Sequence, residues 1–299
     1  MRPFHVQTTL FNETAPSFCI APFKTQLLKW VGNKQRFAHE IAAFFPIEYG
    51  ALHEPFFGSG AVTATVAPRR GRGSDAFRPL VEIWKTLKED PARLKRWYEQ
   101  RWRRVMDGGD KTAGYESIKA SFNATPNGAD LLFLCRSCYG GVVRFRKADG
   151  HMSTPCGVHR PIEPESFARR VDIWRRRLDG VEFDCVDFRE AMARAEPGDV
   201  VYCDPPYSDS QAILYGAQGF SLKELFEVVA DCKRRGVFVA LSIDGTKRSG
   251  QHTCDLPIPD GLFERQALVN CGRSMLKRFQ MNGASLEDHE VADRLLLTY

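Results

Sequence analysis

Short apolar runs that stop abruptly at turn-forming residues set the rhythm of this chain. Val200-Val201-Tyr202-Cys203 is a run of strand-forming residues that ends at Asp204-Pro205-Pro206-Tyr207, where prolines without an amide hydrogen force the backbone out of a sheet. Residues 52–57 form a similar run and lead into Gly58-Ser59-Gly60, with a helix to about Val66. Further strands are predicted at 181–186, 237–243, 267–270 and 294–298. Between the strands, apolar positions recur at helical spacing. Phe37, Ile41, Phe44 and Phe45 mark a helix over 34–45 closed by Pro46, and Phe77, Leu80, Val81, Trp84 and Leu87 mark an amphipathic run. Pro91 opens a helix carrying Leu94, Trp97 and Tyr98, and others are expected at 115–122, 129–138, 165–178, 189–195 and 222–232. Strands alternating with helices predict an α/β fold. The stretch Arg69-Arg70-Gly71-Arg72-Gly73-Ser74-Asp75-Ala76 is far too polar for an ordinary central strand.

The strand end at Asp204 carries chemistry as well as a turn. A carboxylate, the Pro205 carbonyl and the ring of Tyr207 would grip a flat group bearing an NH2, with acceptors for its hydrogens and a face for its ring. The competing reading is a strand that simply ends in a solvent turn. The glycines at 58 and 60 permit close backbone approach to a ligand, but the third glycine of the dinucleotide-binding fingerprint is missing.

Lys29-Trp30-x-Gly32-x-Lys34, then Glu54-Pro55-Phe56-x-Gly58-Ser59-Gly60, then Asp204-Pro205-Pro206-Tyr207 follow one another in an order that resembles the Dam-type DNA adenine-N6 methyltransferases, from about Phe23 to Tyr299. The resemblance implies a Rossmann-like, S-adenosylmethionine-dependent sheet built from 1–75 and 181–299. It also implies an inserted, mainly helical target-recognition domain at 76–180 containing a β-hairpin. Asp204, Pro205, Pro206 and Tyr207 would be catalytic, with Tyr207 stacking on an adenine flipped out of double-stranded DNA. Trp30, Lys34, Glu54, Phe56, Gly58, Ser59, Gly60, Asp75, Asp187, Phe188 and Asp204 would bind the cofactor. Asp75 is aligned with the acid that takes ribose hydroxyls, and Asp187-Phe188 with the pair that holds the cofactor's adenine. A helix N-cap is the alternative for Asp75 and for Asp187. Pairing with a restriction endonuclease is also open to such an enzyme.

Within 139–157, paired glycines, alternating apolar and basic residues and a turn at Ala148-Asp149-Gly150 predict a hairpin with Arg144 and Arg146 on one face. It is similar to the family's recognition hairpin, which makes Tyr139, Arg144, Arg146 and Lys147 the expected DNA contacts. Gly140 stands where the family usually has Asn, so the recognised site does not carry over. A cytosine-N4 enzyme more often carries Ser in place of Asp204, and a structured-RNA enzyme usually has Asn there and lacks the long insertion. A non-catalytic DNA-binding relative is the reading from outside enzymology, and the intact Asp204, Tyr207 and Gly58 loop argue against it.

Composition adds three points. The net charge is +5, yet residues 69–184 hold 24 Lys and Arg against 16 Asp and Glu, so a basic middle sits in a slightly acidic frame. No apolar run approaches the roughly 18 residues of a membrane span, and the N-terminus lacks a signal peptide's core, which predicts a cytoplasmic protein. Nine cysteines, an odd number without regular spacing, predict reduced thiols. Cys135-x-x-Cys138 and Cys156-x-x-His159 have spacings that a zinc knuckle would tolerate, but the first pair falls in an apolar helix, and no metal is expected.

Overall fold

β4 (Val200–Cys203) is buried at every position, because helices cover both faces of the sheet around it. Val201 and Cys203 join one core with Val239 and Leu241, whereas Val200 and Tyr202 join another with Ala240, so the strand period of two divides the side chains between opposite faces. A computed structural model describes residues 16–206, 220–244, 246–247, 252–253, 258–273 and 290–299. Its seven-stranded sheet runs in the order β3-β2-β1-β4-β5-β9-β8. β1 (Leu52–Glu54), β2 (Gly71–Ser74), β3 (Val181–Asp184), β4 and β5 (Phe238–Asp244) are parallel, while β8 (Arg265–Arg273) and β9 (Glu290–Leu297) are antiparallel. β6 (Thr246–Lys247) and β7 (His252–Thr253) form a separate two-stranded ladder.

From β1 the chain builds outward through β2 to β3, then returns to place β4 on the other side of β1. The direction of winding therefore reverses between β1 and β4, and in such sheets the crevice beyond the C-terminal strand ends at this point is where ligands bind. Helices α1 (Ala38–Ala42), α2 (Ala61–Val66), α8 (Phe188–Ala193) and α9 (Leu222–Arg234) cover the sheet, and α3 (Arg78–Glu89) through α7 (Pro164–Arg177) intervene between β2 and β3. α4 (Pro91–Met106), α5 (Lys111–Ala124) and α6 (Gly128–Ser137) lie within that stretch. Side chains of Asp90, Asp110 and Asn127 accept from the first free amides of α4, α5 and α6, which fixes where each starts.

Two expectations change. The polar stretch at 71–74 is an interior strand, because Gly71 and Gly73 leave room for neighbouring side chains and Arg72 turns aside to meet Asp184 Oδ2 at 2.8 Å. A Cβ on Gly73 would stand 2.5 Å from the Phe57 ring, so the glycine is a packing requirement. The helix expected over 34–45 is regular only at 38–42, with turns to either side. Among the described residues no helix is long and apolar enough to cross a membrane.

Candidate active site

Three strand ends meet at the switch point. Asp204 is the first residue beyond β4, and its Oδ1 lies 3.0 Å from Lys34 Nζ, with the two side chains 18% and 7% exposed. Burying both charges costs solvation that only close pairing offsets, so each holds the other in place. Pro205 is buried and Pro206 half-buried behind them. Tyr207 and the polar stretch that follows it to 219 lie outside the described residues.

Glu54 ends β1, the strand beside β4, and is 4% exposed. One of its oxygens, Oε2, accepts from Thr63 N at 3.2 Å and from Thr63 Oγ1. Burial pushes its carboxyl up to about 8; the Thr63 hydrogen bonds oppose the rise, and the charges of Asp204 and Asp75 add to it.

The loop between β1 and α2 is held open by its glycines. Gly58 and Gly60 have φ of 47° and 63°, in the left-handed region, and a Cβ on Gly60 would approach Phe57 to 2.6 Å. Ser59 between them is buried. Trp84 Nε1 donates to Gly58 O and Gly58 N donates to Asp75 Oδ2, both at 3.1 Å, so α3 and the end of β2 pin the loop from two sides. Asp75 thus lies beside the loop, and its carboxylate also accepts from Phe77 N at 2.9 Å. Burial pushes this carboxyl up too, against the backbone hydrogen bonds of Phe77, Gly58 and Ala76.

Aromatic rings wall the mouth. Phe56 stacks on Phe188 at 5.4 Å and 26°, and Phe220 packs edge-on to the first at 5.8 Å and to the second at 5.9 Å. Trp30 stacks on Phe77 at 6.3 Å. Asp187 caps α8 by accepting from Arg189 N at 2.9 Å and pairs with the same residue's guanidinium. Of the residues singled out from the sequence, Trp30, Lys34, Glu54, Phe56, Gly58, Ser59, Gly60, Asp75 and Asp204 to Pro206 belong to the segments around the switch point, with Asp187 and Phe188 at the start of α8. The sequence reading missed Thr63 and the roles of Phe77, Trp84 and Phe220. Phe77 and Trp84 were visible only as an apolar helical face, and nothing in the sequence marked Thr63.

The hairpin is a separate feature. Tyr139 to Gly141 form a short 3₁₀ turn, and the antiparallel pairing that follows is confined to a bridge between Phe145 and Met152, flanked by Arg146 N to His151 O and Ser153 N to Arg144 O, both at 2.9 Å. Val143 and Phe145 are buried whereas Arg144, Arg146 and Lys147 are exposed, so the expected alternation is present on a much shorter ladder. Tyr139 is 47% exposed. Phe145 packs on Phe77 at 5.5 Å, and Phe77 on Trp30, which joins the hairpin's base to the mouth. Cys135 and Cys138 are buried at the end of α6, and burial pushes each thiol up to about 12, which disfavours the thiolate a metal needs. His159, the fourth residue of that spacing, is exposed.

Comparison with known proteins points the same way. The family model described as D12 class N6 adenine-specific DNA methyltransferase matches residues 30–256. The DNA N-6-adenine-methyltransferase of Escherichia phage P1 is 27% identical over 237 residues, which is 75% of this chain and 30% of the phage protein. The retron Ec67 DNA adenine methylase of Escherichia coli is 29% identical over 211 residues, covering 68% and 70% of the two chains. The DNA adenine methylase of Vibrio cholerae is 28% identical over 233 residues, covering 72% and 79%. The chain therefore spans less than a third of the phage protein and most of the other two.

Proposed function

The chain belongs to the D12 class N6 adenine-specific DNA methyltransferase family, and from that premise we propose that it methylates the N6 amino group of an adenine turned out of double-stranded DNA, with S-adenosylmethionine as donor. The observation that carries this reading is the half-buried Asp204 carboxylate at the switch point, ion-paired to Lys34 and one strand away from the glycine loop.

The nitrogen of an aromatic amine is a weak nucleophile, because its lone pair is delocalised into the ring. Asp204 and the Pro205 carbonyl can each accept a hydrogen from it, which localises the lone pair and fixes its direction. The ion pair with Lys34 holds the carboxylate in place for that task. Tyr207 would stack on the base. No side chain needs to become a covalent nucleophile, and the buried thiols of Cys135, Cys138 and Cys203 are pushed away from reactivity. Positioning and electrostatics would then supply the rate.

The residues present suit the cofactor. Gly58 and Gly60 give the loop a left-handed backbone that packs closely on Trp30 and Phe57, Glu54 offers a desolvated carboxyl, and the Phe56–Phe188 pair offers ring faces. When bound, S-adenosylmethionine supplies a methyl group activated by its sulfonium. Trp30, Lys34, Glu54, Phe56, Gly58, Ser59, Gly60, Asp75, Asp187, Phe188 and Asp204 frame its site in this reading. Residues 76–180 would engage the duplex through Tyr139, Arg144, Arg146 and Lys147.

Transfer of radiolabelled methyl from S-adenosylmethionine to DNA, followed by nucleoside analysis, tests the proposal. Label is expected on adenine N6, and Asp204→Ala should lower turnover by more than about a hundredfold with little change in DNA affinity. Label on cytosine or only on RNA would overturn the substrate assignment. A rate retained within about tenfold, only about 1.4 kcal/mol of barrier, would remove Asp204 from the role of orienting the amine.

A further inference from the structure

Glu54 is a carboxyl held away from both water and positive charge. Three elements surround it. From α2, Thr63 donates twice to a single oxygen. From the end of β4 comes the charge of Asp204, whose own ion pair is with Lys34, and from the end of β2 that of Asp75. The charges that act most on Glu54 are therefore carboxylates, and Lys34 pairs with one of them. An ionised carboxylate buried in such company is costly, and the cheaper state is the neutral acid. The elevation of this carboxyl to about 8 expresses the same balance.

A ligand bearing positive charge would reverse that balance. We propose that Glu54 rests as the neutral acid and gives its proton to solvent as the positively charged cofactor enters, so that cofactor binding and ionisation of Glu54 are one coupled step. The inference rests on the cofactor reading above. The step balances simply: the O–H bond of Glu54 breaks, its proton passes to bulk buffer, and the resulting carboxylate would offset the positive charge that the ligand brings. The pocket thereby avoids holding a further ionised carboxylate beside Asp204 and Asp75 until the ligand's charge offsets it. Cofactor affinity should weaken as pH falls, because each binding event must first remove the proton.

Calorimetric titration of the DNA-free protein with S-adenosylmethionine at pH 6.5, in two buffers of unlike ionisation enthalpy, counts the protons released. At that pH the cofactor's α-amino group, with an ordinary pKa of about 7.7–8.0, stays protonated and contributes little. Wild-type protein is expected to release roughly one proton and Glu54→Gln close to none. Affinity of the wild type should rise about tenfold from pH 6 to pH 7, with that of Glu54→Gln nearly flat. Binding without proton release, or equal release from the variant, overturns the proposal. The wild-type pH profile decides the matter even where the variant fails to fold, since a flat affinity from pH 6 to pH 8 also overturns it. Absence of any binding by the wild type at pH 8 would instead fell the cofactor reading, and this inference with it.

Discussion

Arg144 and Arg146 share the exposed face of the hairpin, yet they are not equivalent. Arg146 Nε donates to Asp149 at 3.0 Å, and its guanidinium also meets His151 at 3.1 Å, so it is engaged in closing its own turn. Among the described residues the Arg144 guanidinium has no hydrogen-bond or ion-pair partner, and its backbone is anchored on both sides, by Arg144 N to Thr154 Oγ1 and Ser153 N to Arg144 O, each at 2.9 Å. A fixed backbone with an uncommitted fork is what reading guanine O6 and N7 in the major groove requires. Replacing Arg144 by Ala is expected to cost about 1 to 3 kcal/mol at one base pair and to relax the sequence preference there. Mapping the methylated adenines of the variant checks this. An unchanged motif with uniformly slower methylation would make Arg144 a phosphate clamp, whose loss weakens all sites alike.

Among the elements, β2 teaches most about what a sequence conceals. Its pattern of arginine and glycine is too polar for an ordinary central strand, and it is an interior strand because of residues distant in the chain: Phe57 fills the space over Gly73, and Asp184 on β3 receives Arg72. β4 was legible because its apolar residues are buried on both faces and the prolines fix its end. The hairpin's alternation was legible for the same reason of period, but its ladder was overestimated, since Gly140 and Gly141 adopt φ of 65° and 68° and start a turn where a strand was expected. The mouth residues could be identified from their motifs, whereas the ion pair between Lys34 and Asp204 and the grip of Thr63 on Glu54 depend on how strands are ordered, which no local pattern encodes. The two glycines that face Phe57 give this scale its own test. Gly73→Ala would press a methyl against a ring that is 2% exposed and already packed edge-on to Trp84 at 5.1 Å and Phe183 at 5.2 Å. Overpacking of this kind costs about 1 to 3 kcal/mol, and because Phe57 immediately precedes Gly58, cofactor affinity should fall as well. Chemical denaturation together with cofactor titration measures both, and a variant of wild-type stability would show that the ring has room to move.

Over the whole molecule, one apolar core runs from the sheet into the helices between β2 and β3. It contains Phe57 from the loop after β1, Ala64 from α2 and Val181 and Phe183 from β3, with Leu94, Tyr98, Tyr115, Phe133 and Phe145 from α4, α5, α6 and the hairpin. The surplus of basic residues in this region is partly spent in pairs within it, such as Lys95–Asp172, Arg101–Asp130 and Arg175–Asp179, while Lys88 on α3 reaches Glu182 and Val181 O on β3, so an ion pair adds to the shared packing between the two parts. Trp84 is the residue through which the most distant pieces meet. Its indole lies 5.5 Å from Trp174 on α7 and 6.2 Å from Phe183 on β3, and its Nε1 holds the Gly58 carbonyl. Trp84→Ala should therefore destabilise the protein by about 3 to 5 kcal/mol and lower the midpoint of thermal unfolding by on the order of 5 °C. A shared core also predicts that unfolding stays a single cooperative transition in wild type and variant, and that cofactor and DNA affinity fall together. Scanning calorimetry resolving two transitions, with only the first moved by the substitution, would mean that the helices between β2 and β3 fold as a unit of their own and that Trp84 merely touches them.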